Sequence, residues 1–148
     1  MQATTSPFAE TAAPQGRPAE MMSFMDAMSS YLSKAFDFEG RATRSEYWWA
    51  YLGMMLVSIG VFVFFGLIAS FMGDAAVFVF CFAYLGLIAG YIPFIALTAR
   101  RLHDVGKSGW MQLLYLVPFA GIYIFILTVM DGEPTANIYG PVPTNKLV

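Results

Sequence analysis

The stretch YWWAYLGMMLVSIGVFVFFGLIASFMG, from Tyr47 to Gly73, runs for 27 residues without a single Asp, Glu, Lys or Arg. A helix needs roughly 20 apolar residues to cross a hydrocarbon core of about 30 Å, so this segment alone places the chain in a membrane. Two further stretches, Ala75 to Ala99 (25 residues) and Ser108 to Met130 (23 residues), are equally free of charge. Every charge therefore falls outside them, at about the one-in-four density of a soluble domain. Over the whole 148-residue chain, 58% of residues are hydrophobic and 12% charged, which excludes a water-soluble globule.

The same totals exclude several functions. A net charge of −2, with no basic cluster outside the membrane flanks, leaves nothing to release counterions from a polyanion, so no nucleic acid partner is expected. One His and one Cys make an all-protein metal site unsupported, and no metal or cofactor is expected. Cys81 lies inside the second apolar stretch and has no internal disulfide partner. Residues 1–20 carry Pro7, Pro14 and Pro18 and lack both a basic start and an apolar core, which reads as a disordered tail rather than a signal peptide.

Between tail and first span, Met21, Phe24, Met25, Met28, Tyr31, Leu32, Ala35 and Phe36 recur at steps of three and four. That period predicts an amphipathic interfacial helix over 21–37, its methionine-rich face in the headgroup layer. A coupling helix for a partner protein would show the same pattern. Gly40 suits a helix stop, and Thr43-Arg44-Ser45-Glu46 has capping-box spacing, with Thr43 covering a free N–H and Glu46 reaching back. A membrane domain over 38–143 follows, with spans near 46–72, 75–100 and 109–130, and a tail over 144–148. Tyr47, Trp48, Trp49 and Tyr51 mark the entry plane of the first span, and Gly73-Asp74 makes a tight hairpin to the second.

The second span holds Gly86 and Gly90 at small-xxx-small spacing, followed by Pro93. These glycines either pack against Gly60 and Gly66 of the first span or present a homodimer face. Lys34, Arg41, Arg44, Arg100, Arg101 and Lys107 flank the spans on one side and only Lys146 on the other, which puts the amino terminus in the cytoplasm. A simple count of three spans leaves the carboxyl tail outside. A break at Pro118 and Gly121 would instead fold the third stretch into a kinked or re-entrant hairpin, tolerated only when buried in protein.

The densest polar segment is Arg100-Arg101-Leu102-His103-Asp104-Val105-Gly106-Lys107-Ser108-Gly109-Trp110. Arg100 and Asp104 stand four apart and can pair on a helix; Gly106 can end that helix and Ser108 cap the next. Arg44, in the positive first turn of its helix, calls for a negative partner among Asp37, Glu39, Asp104 and a lipid phosphate. Two readings stay open. Either these charges fix topology and pair with one another in an interfacial network with Glu46, His103, Asp104 and Trp110, or Arg41, Arg44, Arg100, Arg101, Lys107 and Ser108 line a shallow site for an anionic headgroup. His103 beside Asp104 is no catalytic pair, because neighbours on a helix point about 100° apart, so an enzyme is not expected. Ionisable groups are absent from the spans, where ion-coupled carriers keep them.

Four blocks resemble a known family: Phe38 to Trp48, Arg101 to Trp110, the Pro118 to Gly121 break, and Asn137-Ile138-Tyr139-Gly140-Pro141-Val142-Pro143. In that order they are similar to the "domain of unknown function 805" family of YhaH-like bacterial inner-membrane proteins. The resemblance implies a bacterial plasma membrane location and a small helical bundle, and brings no activity, cofactor or catalytic residue. The chain departs from it at Ile138 and Val142, where the family commonly has a basic and an acidic residue. The expectation is an all-α, multi-pass inner-membrane protein of three spans. Its function would be that of a non-enzymatic accessory or scaffold subunit, bound to anionic phospholipid and to a larger membrane complex or to copies of itself. The alternative is an oligomeric channel or transporter for a small solute.

Overall fold

The computed structural model describes residues 21–143; the tails expected over 1–20 and 144–148, with Lys146, lie outside the described residues. Among the described residues there are four α-helices and no strand: α1 Phe24–Ser33, α2 Arg44–Ala69, α3 Ala76–Asp104 and α4 Ala120–Val129. Short 3₁₀ segments, Gly73–Ala75 and Gly109–Leu116, precede α3 and follow it. The chain is an all-α membrane protein.

Helices α2 and α3 form an antiparallel hairpin. With 26 and 29 residues, at about 1.5 Å per residue, each exceeds the roughly 30 Å of a hydrocarbon core. Their large apolar side chains, Phe62, Phe64, Phe78 and Phe82 among them, face outward and are mostly exposed, as lipid-facing helices require. Helix α3 passes through Pro93 without ending and runs a turn beyond its apolar stretch, carrying Arg100, Arg101 and Asp104 inside the last turns. It stops in a Schellman arrangement: Gly106, at φ +69°, donates to the His103 carbonyl, and Lys107 donates to that of Leu102. Gly106 therefore plays the expected terminator. Gly40, at φ +77°, instead turns the chain into Arg41, well after α1 has closed at Lys34.

The amphipathic helix is shorter than its period suggested, because Ser23 caps it by accepting from Asp26 N–H at 3.2 Å. It lies against the first turns of α2 rather than only on the headgroup layer. Ala27, Ser30 and Tyr31 are buried, Met28 fills the space over Gly53, and Met21, Met25, Leu32 and Phe36 stay outward. The Tyr31 hydroxyl donates to the Gly90 carbonyl at 2.6 Å, beside the Ala89 carbonyl whose helix donor Pro93 removes. Burial, with Tyr91 adding to it, holds that hydroxyl above its ordinary pKa, so it stays a donor.

The third stretch is kinked into two arms and is not one straight helix. Val117 is extended, as a residue before proline prefers, and Phe119 sits in the left-handed region at φ +64°. The 3₁₀ segment ends there and α4 begins; its ten residues cover only about 15 Å. Both arms pack on the last turns of α3: Leu102, Ile124 and Leu127 form one buried cluster, joined by Met111 and Leu114. Ser108 and Met130 thus return to the same end of the bundle. Gly121 makes room rather than the break, since a Cβ there would come 3.2 Å from Tyr115.

With native Cys81 replaced by serine, cysteines introduced at Glu39→Cys and Ile138→Cys should react with an impermeant maleimide from the same side of sealed membrane vesicles. Labelling from opposite sides would restore the straight third span.

Candidate functional site at the charged end of the bundle

The centre of this end is Asp104, fully buried in the last turn of α3. Its Oδ1 accepts from Arg41 Nε at 3.1 Å and Nη2 at 3.0 Å, and its Oδ2 from Arg101 Nη1. Capping of α3 by Gly106 and of α2 by Thr43 presents these side chains to one another. The Arg41 side chain is 0% exposed in that pair, so its remaining donors must find acceptors inside the protein. They do so on the segment that follows α4, residues 131–143, from here on called the tail: Nη1 donates to the Thr135 carbonyl at 2.7 Å and Nη2 to that of Glu133 at 2.6 Å. Arg101 binds the end of α4, donating to the carbonyls of Thr128 and Met130. One carboxylate and two guanidiniums thereby tie together the segment before α2, the end of α3, the end of α4 and the tail.

A second buried pair lies on the α1 side. Glu46 Oε1 accepts from Arg100 Nη1 at 3.3 Å and from the Ser30 hydroxyl at 2.7 Å. Thr43 covers the Glu46 N–H at 3.1 Å, the forward half of the expected capping box. The return half is replaced, because the Glu46 side chain is held inward by Arg100. Two Arg100 donors, Nε and Nη2, are buried without a hydrogen-bond partner among the described residues.

These contacts rearrange several pairings read from spacing. Arg100 pairs with Glu46 and not with Asp104, which is engaged by Arg101 one turn back and by Arg41. Arg44 meets Asp131 at 3.1 Å, a residue delivered by the returning third stretch, rather than Asp37, Glu39 or Asp104. Of the six residues considered for an anionic headgroup, Arg41, Arg100 and Arg101 are buried and engaged internally, while Arg44, Lys107 and Ser108 are exposed. Of the expected network, Glu46 and Asp104 hold ion pairs and His103 Nδ1 donates to the Gly40 carbonyl at 3.1 Å. Trp110 stands apart, 78% exposed, with its backbone N–H donating to the Ser108 hydroxyl.

Gly60, Gly66, Gly86 and Gly90 do not serve close packing within the chain. A Cβ built on any of them meets nothing within 4 Å, and a groove of about 300 Å³ opens between α2 and α3 beside Ser58, Phe82, Gly86 and Gly90. A different glycine does the tight work: a Cβ on Gly106 would come 2.2 Å from the Glu133 carboxylate. Spacing could not identify Ser30, Glu133 or Thr135, since Ser30 is one serine among several and the tail acts through carbonyls that every residue has. Asn137 and Tyr139 were visible only within a motif. The Asn137 amide bridges the His103 carbonyl and the Glu133 carboxylate, and the Tyr139 ring stacks on His103 at 3.9 Å between centroids. Around Ile138 and Val142 the tail is held through its backbone and Asn137.

The geometry spans both ends of a recognisable stretch. Residues 35–141 match the model of the family described as "Protein of unknown function (DUF805)". The chain belongs to the DUF805 family. It is 35% identical over 123 residues to inner membrane protein YhaH of Escherichia coli strain K12, covering 80% of this chain and 97% of that protein. To inner membrane protein YhaI of the same strain it is 33% identical over 115 residues, covering 77% and 92%. No solved structure matches it. These relatives and the two long apolar helices locate this DUF805 chain in the inner membrane. The matched stretch contains Arg41, Arg101, Asp104 and the Glu133 to Gly140 segment, so the whole Arg41–Asp104–Arg101 cluster and its carbonyl partners lie inside it, whereas α1 lies before it.

Removing one partner of a buried ion pair strands the others, at about 3–5 kcal/mol. Asp104→Asn should therefore lower the melting temperature of the detergent-solubilised protein sharply or prevent its accumulation. Arg44→Ala, which breaks an exposed pair, should change stability by no more than about 1 kcal/mol. Equal melting temperatures for the two variants would remove the structural role assigned to Asp104.

Proposed function

We propose that the chain is a multi-pass, non-enzymatic accessory or scaffold subunit of the inner membrane, with its amino terminus in the cytoplasm. The observation that carries this reading is the open set of glycines on α2 and α3. No atom of the described residues packs against the Cβ positions of Gly60, Gly66, Gly86 and Gly90, so these helix faces remain able to take another helix at close range. Orientation is supported by Lys34, Arg41, Arg44, Arg100, Arg101 and Lys107, which gather at one end, against Asp74 alone in the α2–α3 turn.

Contact with anionic lipid belongs to the exposed cations. Arg44 stands at the mouth of a groove of about 570 Å³ lined below it by Trp48, Tyr51, Leu52 and Met55. A guanidinium above an apolar groove suits a lipid phosphate with an acyl chain beneath it, and the exposed Asp131 pair is weak enough for a phosphate to replace. Arg41, Arg100 and Arg101 contribute to this reading only by holding the scaffold that positions Arg44.

Extraction in mild detergent, followed by native mass spectrometry, tests both parts. The protein should leave the membrane with a larger assembly or as a defined homo-oligomer, and Gly86→Leu with Gly90→Leu should dissociate it. Arg44→Ala should lose at least half of the retained phosphatidylglycerol, whereas Lys34→Ala should not. A lipid-free monomer unaffected by these substitutions would overturn the proposal, and a ring-shaped oligomer that passes solute in liposomes would replace it with a channel.

A further inference from the structure

A second cavity, of about 700 Å³, lies between α3 and the Gly109–Leu116 segment; it is lined by none of Arg41, Arg101 and Asp104 and is distinct from the Arg44 groove. It has two distinct ends. On α3 it is lined by Ile95, Ala99 and His103, one face of the helix followed upward from hydrocarbon depth to the charged end. Facing them are Leu113 and Leu116 at the deep end and Ser108 at the shallow end, with Gln112 between. Among the described residues, no Lys, Arg, Asp or Glu lines it.

The polar group that decides its chemistry is His103. A carbonyl oxygen only accepts, so the 3.1 Å contact with Gly40 places the proton on Nδ1 and leaves Nε2 of the neutral ring as an acceptor. The ring cannot swing away, because Tyr139 is stacked on it within 3° of parallel. Nε2 lies beside Gly109, another residue of the lining; a Cβ on Gly109 would stand 3.2 Å from it and 2.8 Å from the Ala99 Cβ. Glycine is thus what lets the 3₁₀ segment approach α3 without covering that nitrogen.

From this juxtaposition we infer that the cavity binds a membrane-borne amphiphile whose head is an uncharged hydroxyl group, donated to His103 Nε2, and whose apolar body lies along Ile95, Leu113 and Leu116. An anionic headgroup does not fit, since no cation among the described lining residues would compensate it where water is partly excluded. A body without a donor leaves Nε2 unsatisfied. Phe38, Trp110 and Tyr115 add flat apolar walls. Two classes of bilayer molecule share the required chemistry: a quinol, with its hydroxyls on a ring, and a neutral diacylglycerol. The inference is independent of the accessory role proposed above.

The full chain in detergent micelles is titrated with decylubiquinol under reducing conditions and, separately, with dioctanoylglycerol, and occupancy is read by native mass spectrometry. Saturable binding of one molecule per chain is expected for at least one probe, and which one binds identifies the ring or the glyceride. Its O-methylated counterpart should bind at least tenfold more weakly. Leu113→Trp, a change at an exposed position that fills the cavity, should weaken binding tenfold at an unchanged melting temperature. Should that variant fail to fold, Trp110→Ala replaces it, with at least a threefold loss expected. The inference is overturned if neither probe saturates, if the methyl ether binds within about twofold of its parent, if phosphatidylglycerol outcompetes both probes, or if the folded cavity variant binds as well as the parent chain.

Discussion

A buried carboxylate cannot stand alone in a protein of this kind. Asp104 is removed from water at the end of a transmembrane helix, and that is tolerable only with cations and hydrogen-bond donors on both oxygens. Arg41 and Arg101 supply them, and each brings a further demand, because a buried guanidinium has five N–H groups to satisfy. Those demands are met by carbonyls at Thr128, Met130, Glu133 and Thr135, which draws the returning stretch and the tail onto the helix ends. Such a cluster adds little net stability compared with an apolar core of the same volume. Its effect is to penalise every arrangement in which one of its partners is elsewhere.

The folded-back course of the third stretch follows from the same demand. A straight span would carry Thr128 and Met130 to the opposite face of the membrane and strand the Arg101 donors. The hairpin keeps them within reach and places its own irregular backbone against α3, where broken helices at membrane depth are tolerated. The cost is local: Phe119 holds a left-handed conformation that non-glycine residues rarely adopt. Packing of Leu102, Ile124 and Leu127 offsets it. The cavity beside His103 is a by-product of this geometry, since a segment folded back in 3₁₀ form lies alongside α3 and leaves space between its side chains and the helix.

Burial also divides the cations into two groups that look alike on paper. Arg41, Arg100 and Arg101 are buried structural parts, each paired with a carboxylate of the bundle, while Arg44 and Lys107 remain at the surface for whatever the membrane offers. Ser30 and Tyr31 show that α1 is likewise more than a membrane-surface element, because each reaches a polar group of the bundle, Glu46 and the Gly90 carbonyl respectively.

Helical class, the two long spans, the hairpin at Gly73, the Thr43 cap and the Gly106 stop were all legible in the amino-acid order, because each depends on composition or on neighbours within a few residues. The candidate site was legible only as a list of charged residues. Which carboxylate meets which arginine depends on contacts between positions such as 41 and 104, or 44 and 131, that no local spacing encodes; reading Arg100 with Asp104 was the natural local choice, and long-range geometry overruled it. The tail's part was hidden for a further reason: it acts through main-chain carbonyls, which are the same whatever the side chain. The sequence by itself determined that apolar helices enter a bilayer and that charge collects at their ends, since hydrophobic transfer is a property of each segment. Only the tertiary structure decided that the third stretch turns back and which cations are spent inside, since a buried charge is satisfied by whatever the rest of the fold brings within about 3 Å of it.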